Sequence, residues 1–458
     1  VNKKIIGFLS GIAVFVIIYL LPLNGLAWAG HMCLALTLMT VVWWATQIAQ
    51  PAYVGGIYLI LLIILRVATP VQVFSSSWTG SIMWLVIGAY LIAGAVKDSG
   101  LGERIAYAFI IKFVRSWKGI IISIFVLTFI MALLIPHPWP RAFLIMSVMA
   151  VVCKSANMPK EDTAKVGLAV FAASCPLSMV FLTGDSSLNP LAVADSGISC
   201  DYLSWFKYMS VPMIIAAILT MLLILLLFKP TKEVNIDLDV LREKQKSLGP
   251  LSTREKRTAI WLVIAIVLWL TNGITGVDIG WITLIVALLM SMPLIGEVLT
   301  PKSWSGVPVN VLIFLTSAIS IGTVGGVTGM NAWIAHTVLP SSVPANIFLL
   351  ALLIAVVAIV VHMFMGSVIA VMGVCIPAMV AYTSRLGISS LAISLLVFSA
   401  INIHYILPFH NLAMLVGCEP DAGGYTQKEV IKLGIPLTAV VLIVVLVAAG
   451  WFRITGLI

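Results

Sequence analysis

Four short stretches of this 458-residue chain carry side chains able to do chemistry in an otherwise apolar sequence. The first, Ile135-Pro136-His137-Pro138-Trp139-Pro140-Arg141, sets a histidine and an arginine among three prolines. The planar guanidinium of Arg141 suits bidentate recognition of a carboxylate or sulfonate. His137 is the side-chain type whose charge changes near neutral pH. The second stretch, Thr183-Gly184-Asp185-Ser186-Ser187-Leu188-Asn189, interrupts an apolar run. Unwound carbonyls and small hydroxyls of this kind coordinate sodium, which makes Thr183, Gly184 and Asp185 candidate cation ligands, and a helix N-terminus restarting beyond them faces an anion. The third is Gly366-Ser367, small enough to let backbone approach a ligand. The fourth, Leu407-Pro408-Phe409-His410-Asn411, breaks a second apolar run. His137, Pro138, Trp139, Arg141, Ser186, Ser187, Asn189, Gly366, Ser367, His410 and Asn411 are therefore the candidate anion-binding residues. Paired carboxylates and metal-ligand histidine spacing, the marks of a membrane-embedded enzyme, are missing from the sequence.

Each candidate also fits a plainer role. Arg141 suits capping of hairpin carbonyls or pairing with Asp185, His137 suits packing between prolines, and Asp185 suits a helix N-cap. His362 and His404 lie on apolar stretches and read as satisfied buried histidines; His31 and His336 read as peripheral. Trp43, Trp44, Trp205 and Trp333 read as anchors at the membrane interface. Gly325 and Gly329 form a small-xxx-small pattern, a weak signal for helix pairing. Six scattered cysteines, with neither CxxC nor Cys/His ligand spacing, read as inert apolar side chains.

The elements that must hold these stretches are membrane helices. With 61% hydrophobic and 9% charged residues, the chain lacks the polar surface a soluble domain of this size needs. Apolar runs of roughly 17 to 25 residues, the length of a crossing, recur throughout, and lipid leaves an all-α bundle as the solution for such runs. Eleven spans are expected at about 5–23, 30–48, 52–68, 80–96, 166–196, 208–228, 258–272, 278–295, 309–327, 390–418 and 433–452. The first follows Asn2-Lys3-Lys4 and is expected to be a retained span, since it outruns a typical signal core and no small-residue cleavage site follows. The net charge of +9 is topological. With a cytoplasmic N-terminus and an external C-terminus, 21 of the 26 lysines and arginines fall inside, Arg66, Lys207, Arg385 and Arg453 fall outside or near the outer ends, and Arg141 falls within a segment. Nucleic acid is not an expected partner.

Segments 119–153 and 346–382 do not count as single spans. The first is too short for two full crossings and is flanked by basic residues on both sides, so both are expected to be re-entrant hairpins, with 135–141 and Gly366-Ser367 at their tips. The three prolines force extended backbone at the first tip, which is tolerated at membrane depth only inside protein or beside a watery cavity. A polar stretch, 229–257, divides the chain as a cytoplasmic linker. On either side an internal repeat emerges. Trp78-Thr79-Gly80 recurs at Trp304-Ser305-Gly306, Ser99-Gly100-Leu101 at Thr328-Gly329-Met330, Asn189 at Asn411, and Lys207 with Pro212 at Lys432 with Pro436, all 222 to 229 residues apart. The charge-based topology gives the two copies opposite orientation, the construction of secondary transporters.

Trp43-Trp44-Ala45-Thr46-Gln47-Ile48-Ala49-Gln50-Pro51, Ile87 to Leu91, Lys97 to Ala106, Trp304 to Ala335 and Leu407 to Pro436 resemble the divalent anion:sodium symporter family of di- and tricarboxylate carriers. The resemblance implies a homodimeric elevator carrier, in which a mobile domain holds both hairpins and both interrupted helices. It also implies a Ser-Asn-Thr motif at each tip, contacting substrate carboxylates and sodium. By distance to the following helix those motifs fall near His137-Pro138-Trp139 and at Ser367-Val368-Ile369, where only Ser367 survives. On these terms 1–117 is an N-terminal scaffold and 118–228 the first transport half, 229–257 the linker, 258–342 a second scaffold segment and 343–458 the second transport half. The expected function is secondary transport of a small organic anion, a di- or tricarboxylate or a related sulfonate, across the cell (inner) membrane. Coupling is to sodium or protons, or absent in an exchanger; a channel-like or sensory protein on the same scaffold is the alternative. No cofactor is expected, sodium apart.

Overall fold

The computed structural model describes residues 3–340 and 342–458; Asn2, in the basic flank of the first span, lies outside them. Every regular element among these residues is helical, and nine helices are long and apolar enough to cross a membrane. Each of the eleven expected spans corresponds to a helix or to a helix interrupted at a break. The outermost, Lys3–Leu20, buries only Gly7 and Gly11, against Thr46 and Trp43, and turns Ile5, Leu9 and Ile17 outward as a lipid-facing surface does.

Both leftover segments fold as helical pairs whose arms pack on each other, Trp117–Leu134 with Pro138–Ser155 and Ile347–Met365 with Val368–Thr383. The arms of the first pair are 18 residues each, about 27 Å by helical rise. That is close to one membrane thickness, so the re-entrant reading rests on the like-charged flanks rather than on length. The prolines act differently from the expectation that all three force extended backbone. Pro138 and Pro140 lie in the first helical turn, where a missing N–H costs nothing, and extended backbone is confined to Ile135–His137. At the second tip Gly366 takes a left-handed conformation at φ 58°, which favours glycine, and Ser367 begins the next helix.

The two interrupted spans are Lys160–Leu177 with Leu188–Ser196, and Ser390–Asn402 with Leu412–Gly417. They lock together. Ser394 Oγ donates to the Ala192 carbonyl at 2.6 Å, Ser390 Oγ to that of Ser196 at 2.7 Å, and Asn402 Nδ2 to that of Cys175 at 3.2 Å. The order of elements repeats across the chain: Trp117, Pro138 and Lys160 open helices in the first half, and Ile347, Val368 and Ser390 open the same succession 230 residues later. The last helix, Gln427–Thr455, closes on the second break with Gly434, where a Cβ would sit 2.0 Å from the Tyr405 carbonyl oxygen. A side chain there separates helix and break.

The linker is fastened at both ends and carries a helix of its own, Leu238–Ser247. Thr231 and Lys165 both bond Asp162, at 2.7 and 2.9 Å, and Lys165 also reaches the Lys229 carbonyl. At the far end Arg104 donates to Glu255 at 2.7 Å and to the Gly249 carbonyl at 2.9 Å. The Arg104 hydrogen bond pulls the Glu255 carboxyl down to about 2 from an ordinary value of 4.5. A depressed acid stabilises above its ordinary value, so this fastening holds at neutral pH and loosens as pH falls towards 2.

Four tryptophans were expected at the membrane interface, and three of them are buried instead. Trp205 is fully enclosed and donates to the Met179 carbonyl at 2.9 Å. Trp43 and Trp44 are also in the core, with Trp44 donating to Pro51. An indole whose N–H finds a carbonyl packs as well inside a bundle as at the headgroups. Gly325 lets Val309–Val327 approach the following helix, Met330–Thr337, since a Cβ there would lie 2.3 Å from Asn331 Oδ1.

Candidate functional site

Both hairpin tips and both helix breaks open onto one cavity of about 400 Å3. Its wall includes His137, Pro138 and Trp139 of the first tip and Asp185, Ser187 and Leu188 of the first break. Gly366 and Ser367 of the second tip and Phe409 and Asn411 of the second break face them. Arg141, Ser186, Asn189, His410, Thr183 and Gly184 do not line the cavity; they stand behind it.

Three helices of nine residues or more point their N-termini at this space: Pro138–Ser155, Leu188–Ser196 and Val368–Thr383. Each aims the positive end of its dipole there, a setting that favours an anion, while free first-turn N–H groups come mainly from Val368–Thr383, since Pro138, Pro140 and Pro190 have none. His137 Nδ1 accepts from Trp139 N at 3.3 Å, and Ser367 Oγ from Ala370 N at 3.5 Å. Asp185 Oδ1 accepts from Ser187 N and Leu188 N, both at 3.0 Å, so the acid caps Leu188–Ser196. Because His137 Nδ1 accepts, its proton sits on Nε2, which donates to Tyr90 Oη at 2.7 Å; this tautomer is assigned from the partners.

Behind the wall, Arg141 ties the first tip to the first break. Fully buried, its Nη1 donates to the Ile135 carbonyl at 3.2 Å and to the Gly184 carbonyl at 3.1 Å, while Nε and Nη2 have no protein partner. A backbone bond from Ser186 N to the Pro136 carbonyl runs beside it. Arg141 forms no direct ion pair with Asp185 among the described residues, the two contacts being to carbonyls and to N–H groups respectively. Asn189 does similar work within the break: Nδ2 donates to the carbonyls of Ser178, Phe181 and Leu182 at 2.8, 2.9 and 3.3 Å. Gly184 is required by the same fold-back, since a Cβ would meet the Ser178 carbonyl at 2.5 Å. Thr183 Oγ1 is 3.5 Å from Tyr202 Oη. The exposed carbonyls of this break thus already receive an amide and a guanidinium.

The second half repeats the linkage with other side chains. Phe409 packs on Gly366, and His362 Nε2 bonds the His410 carbonyl at 2.8 Å, tying hairpin to break. Asn411 caps the short restarting helix through Ala413 N at 3.0 Å and donates to the Asn402 carbonyl at 3.0 Å.

Residues 2–458 match the family model described as the sodium:sulfate symporter transmembrane region. The chain belongs to the sodium:sulfate symporter family. As a symporter-family member it is a polytopic membrane transporter and not an enzyme. Among curated proteins it is similar to a membrane protein of Cupriavidus necator, 22% identical over 98% of this chain and 93% of that protein. It is 30% identical to the chloroplastic dicarboxylate transporter 1 of Spinacia oleracea over 59% of this chain, spanning about half (49%) of the spinach protein. The L-tartrate/succinate antiporter of Shigella dysenteriae is 23% identical over 67% of this chain and 65% of its own length.

Several wall residues of this symporter-family cavity escaped the sequence reading: Tyr90, Trp44, Ser174, Ser178, Asn402 and Phe314. Tyr90, Trp44 and Phe314 sit on uninterrupted helices, and Ser174, Ser178 and Asn402 at the ends of apolar arms just before the breaks. Ser174 and Ser178, four apart in an apolar run, were the one available signal, because i and i+4 share a helix face.

Proposed function

We propose that this protein is a secondary active transporter for a small carboxylate anion, a dicarboxylate first, bound between the two tips and the two breaks. The observation that carries the reading is the convergence of three helix N-termini on one cavity with the Arg141 charge behind them. Among the described residues no lysine or arginine lines that cavity. Negative charge is therefore met by backbone N–H groups at the second tip, the Ser187, Ser367 and Tyr90 hydroxyls and the Asn402 and Asn411 amides, with the one carboxylate of the wall, Asp185, engaged by Ser187 N and Leu188 N. Trp139, Trp44 and Phe409 supply the apolar flank for its carbon chain. The carboxylate class is favoured by the names of the spinach and Shigella relatives.

The coupling proposed for the first half is not to sodium. A sodium ion bridging tip and break needs free carbonyl oxygens. Here Arg141 bridges Ile135 and Gly184, and Asn189 takes three further carbonyls. A fixed cation in that position suits exchange, or symport with a different ion. The rest of the reading follows the inverted repeat: hairpins and interrupted helices move together as an elevator against 1–117 and 258–342, in a homodimer of the cell membrane with the N-terminus inside.

Counterflow in proteoliposomes tests the reading. Vesicles loaded with unlabelled succinate or L-tartrate are expected to accumulate labelled anion transiently and saturably, in sodium-free medium. Conductance without saturation would replace the carrier by a channel on the same scaffold.

A further inference from the structure

Behind the second break lies a cluster that the anion site does not use. His362, His404 and His410 are each fully buried, and their ring centroids lie 5.4, 5.7 and 6.4 Å apart. Every ring has one nitrogen bonded and one without a protein partner: His362 Nδ1, His404 Nδ1 and His410 Nε2. The bonded nitrogens fix the tautomers. His362 Nε2 donates to the His410 carbonyl at 2.8 Å. Thr438 Oγ1 donates to Gly434, so at 3.3 Å it accepts from His404 Nε2. His410 Nδ1 accepts from Ile406 N and Leu407 N, leaving its proton on Nε2. Two buried lone pairs, on His362 Nδ1 and His404 Nδ1, are thus left without a donor, which is costly in the neutral state.

One bound proton turns one of these acceptors into a donor, and the charge it brings, costly in a buried site, is offset by the anion that binds nearby. The rings do not converge as a metal site among the described residues. No Asp or Glu pairs with any of the three among the described residues. Charged groups of the surrounding helices stand at helix ends. On Gln427–Thr455 these are Lys428, Glu429, Lys432 and Arg453; on Lys160–Leu177 they are Lys160, Glu161, Asp162 and Lys165. Ile347–Met365, Val368–Thr383 and Ser390–Asn402 contribute no Asp, Glu, Lys or Arg, and Leu188–Ser196, packed on the last two, carries the buried Asp195, which lies towards Gly322 and Pro377. Trp28–Ala45 brings His31, already bonded to Ile18, and Cys33. Tyr405, next to His404 in sequence, is buried.

We propose that His362, His404 and His410 form a proton-binding site that couples proton uptake to anion binding. It rests on the carboxylate-transporter reading above. The placement mirrors Arg141: in one half a permanent cation bridges hairpin and break, and in the other a titratable cluster does so. The proton adds to the lone pair of His362 Nδ1 or His404 Nδ1. His362 lies four residues before Gly366, whose N–H bonds its carbonyl, and His410 precedes Asn411. The new charge is therefore delivered beside two cavity-lining positions, and anion and proton bind cooperatively.

Calorimetric titration of the purified protein with L-tartrate, in buffers of differing ionisation enthalpy, tests this. The wild type is expected to take up close to one proton per anion and to bind on the order of tenfold tighter at about pH 6 than at about pH 8. His362→Gln and His404→Gln are expected to lose the uptake while binding as the wild type does at the higher pH. Binding without proton uptake, or uptake unchanged in both variants, or uptake lost only in His137→Gln, overturns the proton site and leaves the transporter reading standing. Failure of every dicarboxylate to bind overturns both. Should neither variant fold, 15N imidazole spectra of the wild type, with six histidines, decide: an imidazolium signal appearing with anion supports the site, and unchanged neutral spectra overturn it.

Discussion

Arg141→Ala is expected to be the most damaging single change in the protein. It removes both bonds of the bridge between the first tip and the first break and strands the Ile135 and Gly184 carbonyls in a dry interior. Bonds to charged groups contribute about 1.5–3 kcal/mol each, and losing one partner leaves the other's desolvation uncompensated. Thermal unfolding in detergent should register a loss of about 3 to 5 kcal/mol, with anion-induced stabilisation and counterflow abolished. Arg141→Lys should recover the charge but only part of the stability, because the shorter lysine arm carries its donors short of the point from which Nη1 reaches both carbonyls. The Ala variant should also gain stabilisation by sodium that the wild type lacks, since the freed carbonyls then face a space vacated by a cation. An Arg141→Ala protein that unfolds at the wild-type temperature and still responds to anion would refute the bridging role.

Asn189→Asp should rank second. The amide satisfies three carbonyls through one nitrogen, and a carboxylate in its place turns attraction into repulsion against all three. Asn189→Ala loses the bonds alone and is expected to cost about 2–3 kcal/mol. The Asp variant should fall further, and should be selectively restored by sodium rather than by a larger organic cation. Unfolding scans of the two variants, with and without sodium at equal ionic strength, separate these effects. If Asp and Ala behave alike, the break is not held through Asn189 Nδ2.

Why parts of this site could be read before the structure follows from how each is encoded. A break in a membrane helix must be written locally, with Gly, Pro, Ser or Asn, so both breaks and both tips stood out in the sequence. Four of the cavity's elements were placed on that basis. The direction of Arg141 was not written locally. Lying one turn into a helix, its side chain turns towards the Gly184 carbonyl only because the first break folds against the tip, and its carbonyl-capping role emerged from packing. Tyr90, Trp44 and Asn402 stayed hidden for the same reason: a helix apolar on every side gives no clue to which face meets a cavity. His362 and His404 read as satisfied core residues, and each is satisfied on one nitrogen only. Partners 48 and 34 residues away decide that, which spacing within one helix cannot convey. The tryptophans erred the opposite way, because indole N–H groups find carbonyls inside the bundle.

The central claim is that one cavity, framed by two tips and two breaks, binds a carboxylate anion without sodium in the first half. The most direct measurement is thermal stabilisation of the purified protein by succinate, malate and L-tartrate at fixed ionic strength, with sodium replaced by choline. The expected result is an upward, saturable shift for at least one dicarboxylate that is unchanged when sodium is withdrawn. A shift that requires sodium, or none for any dicarboxylate, would contradict it.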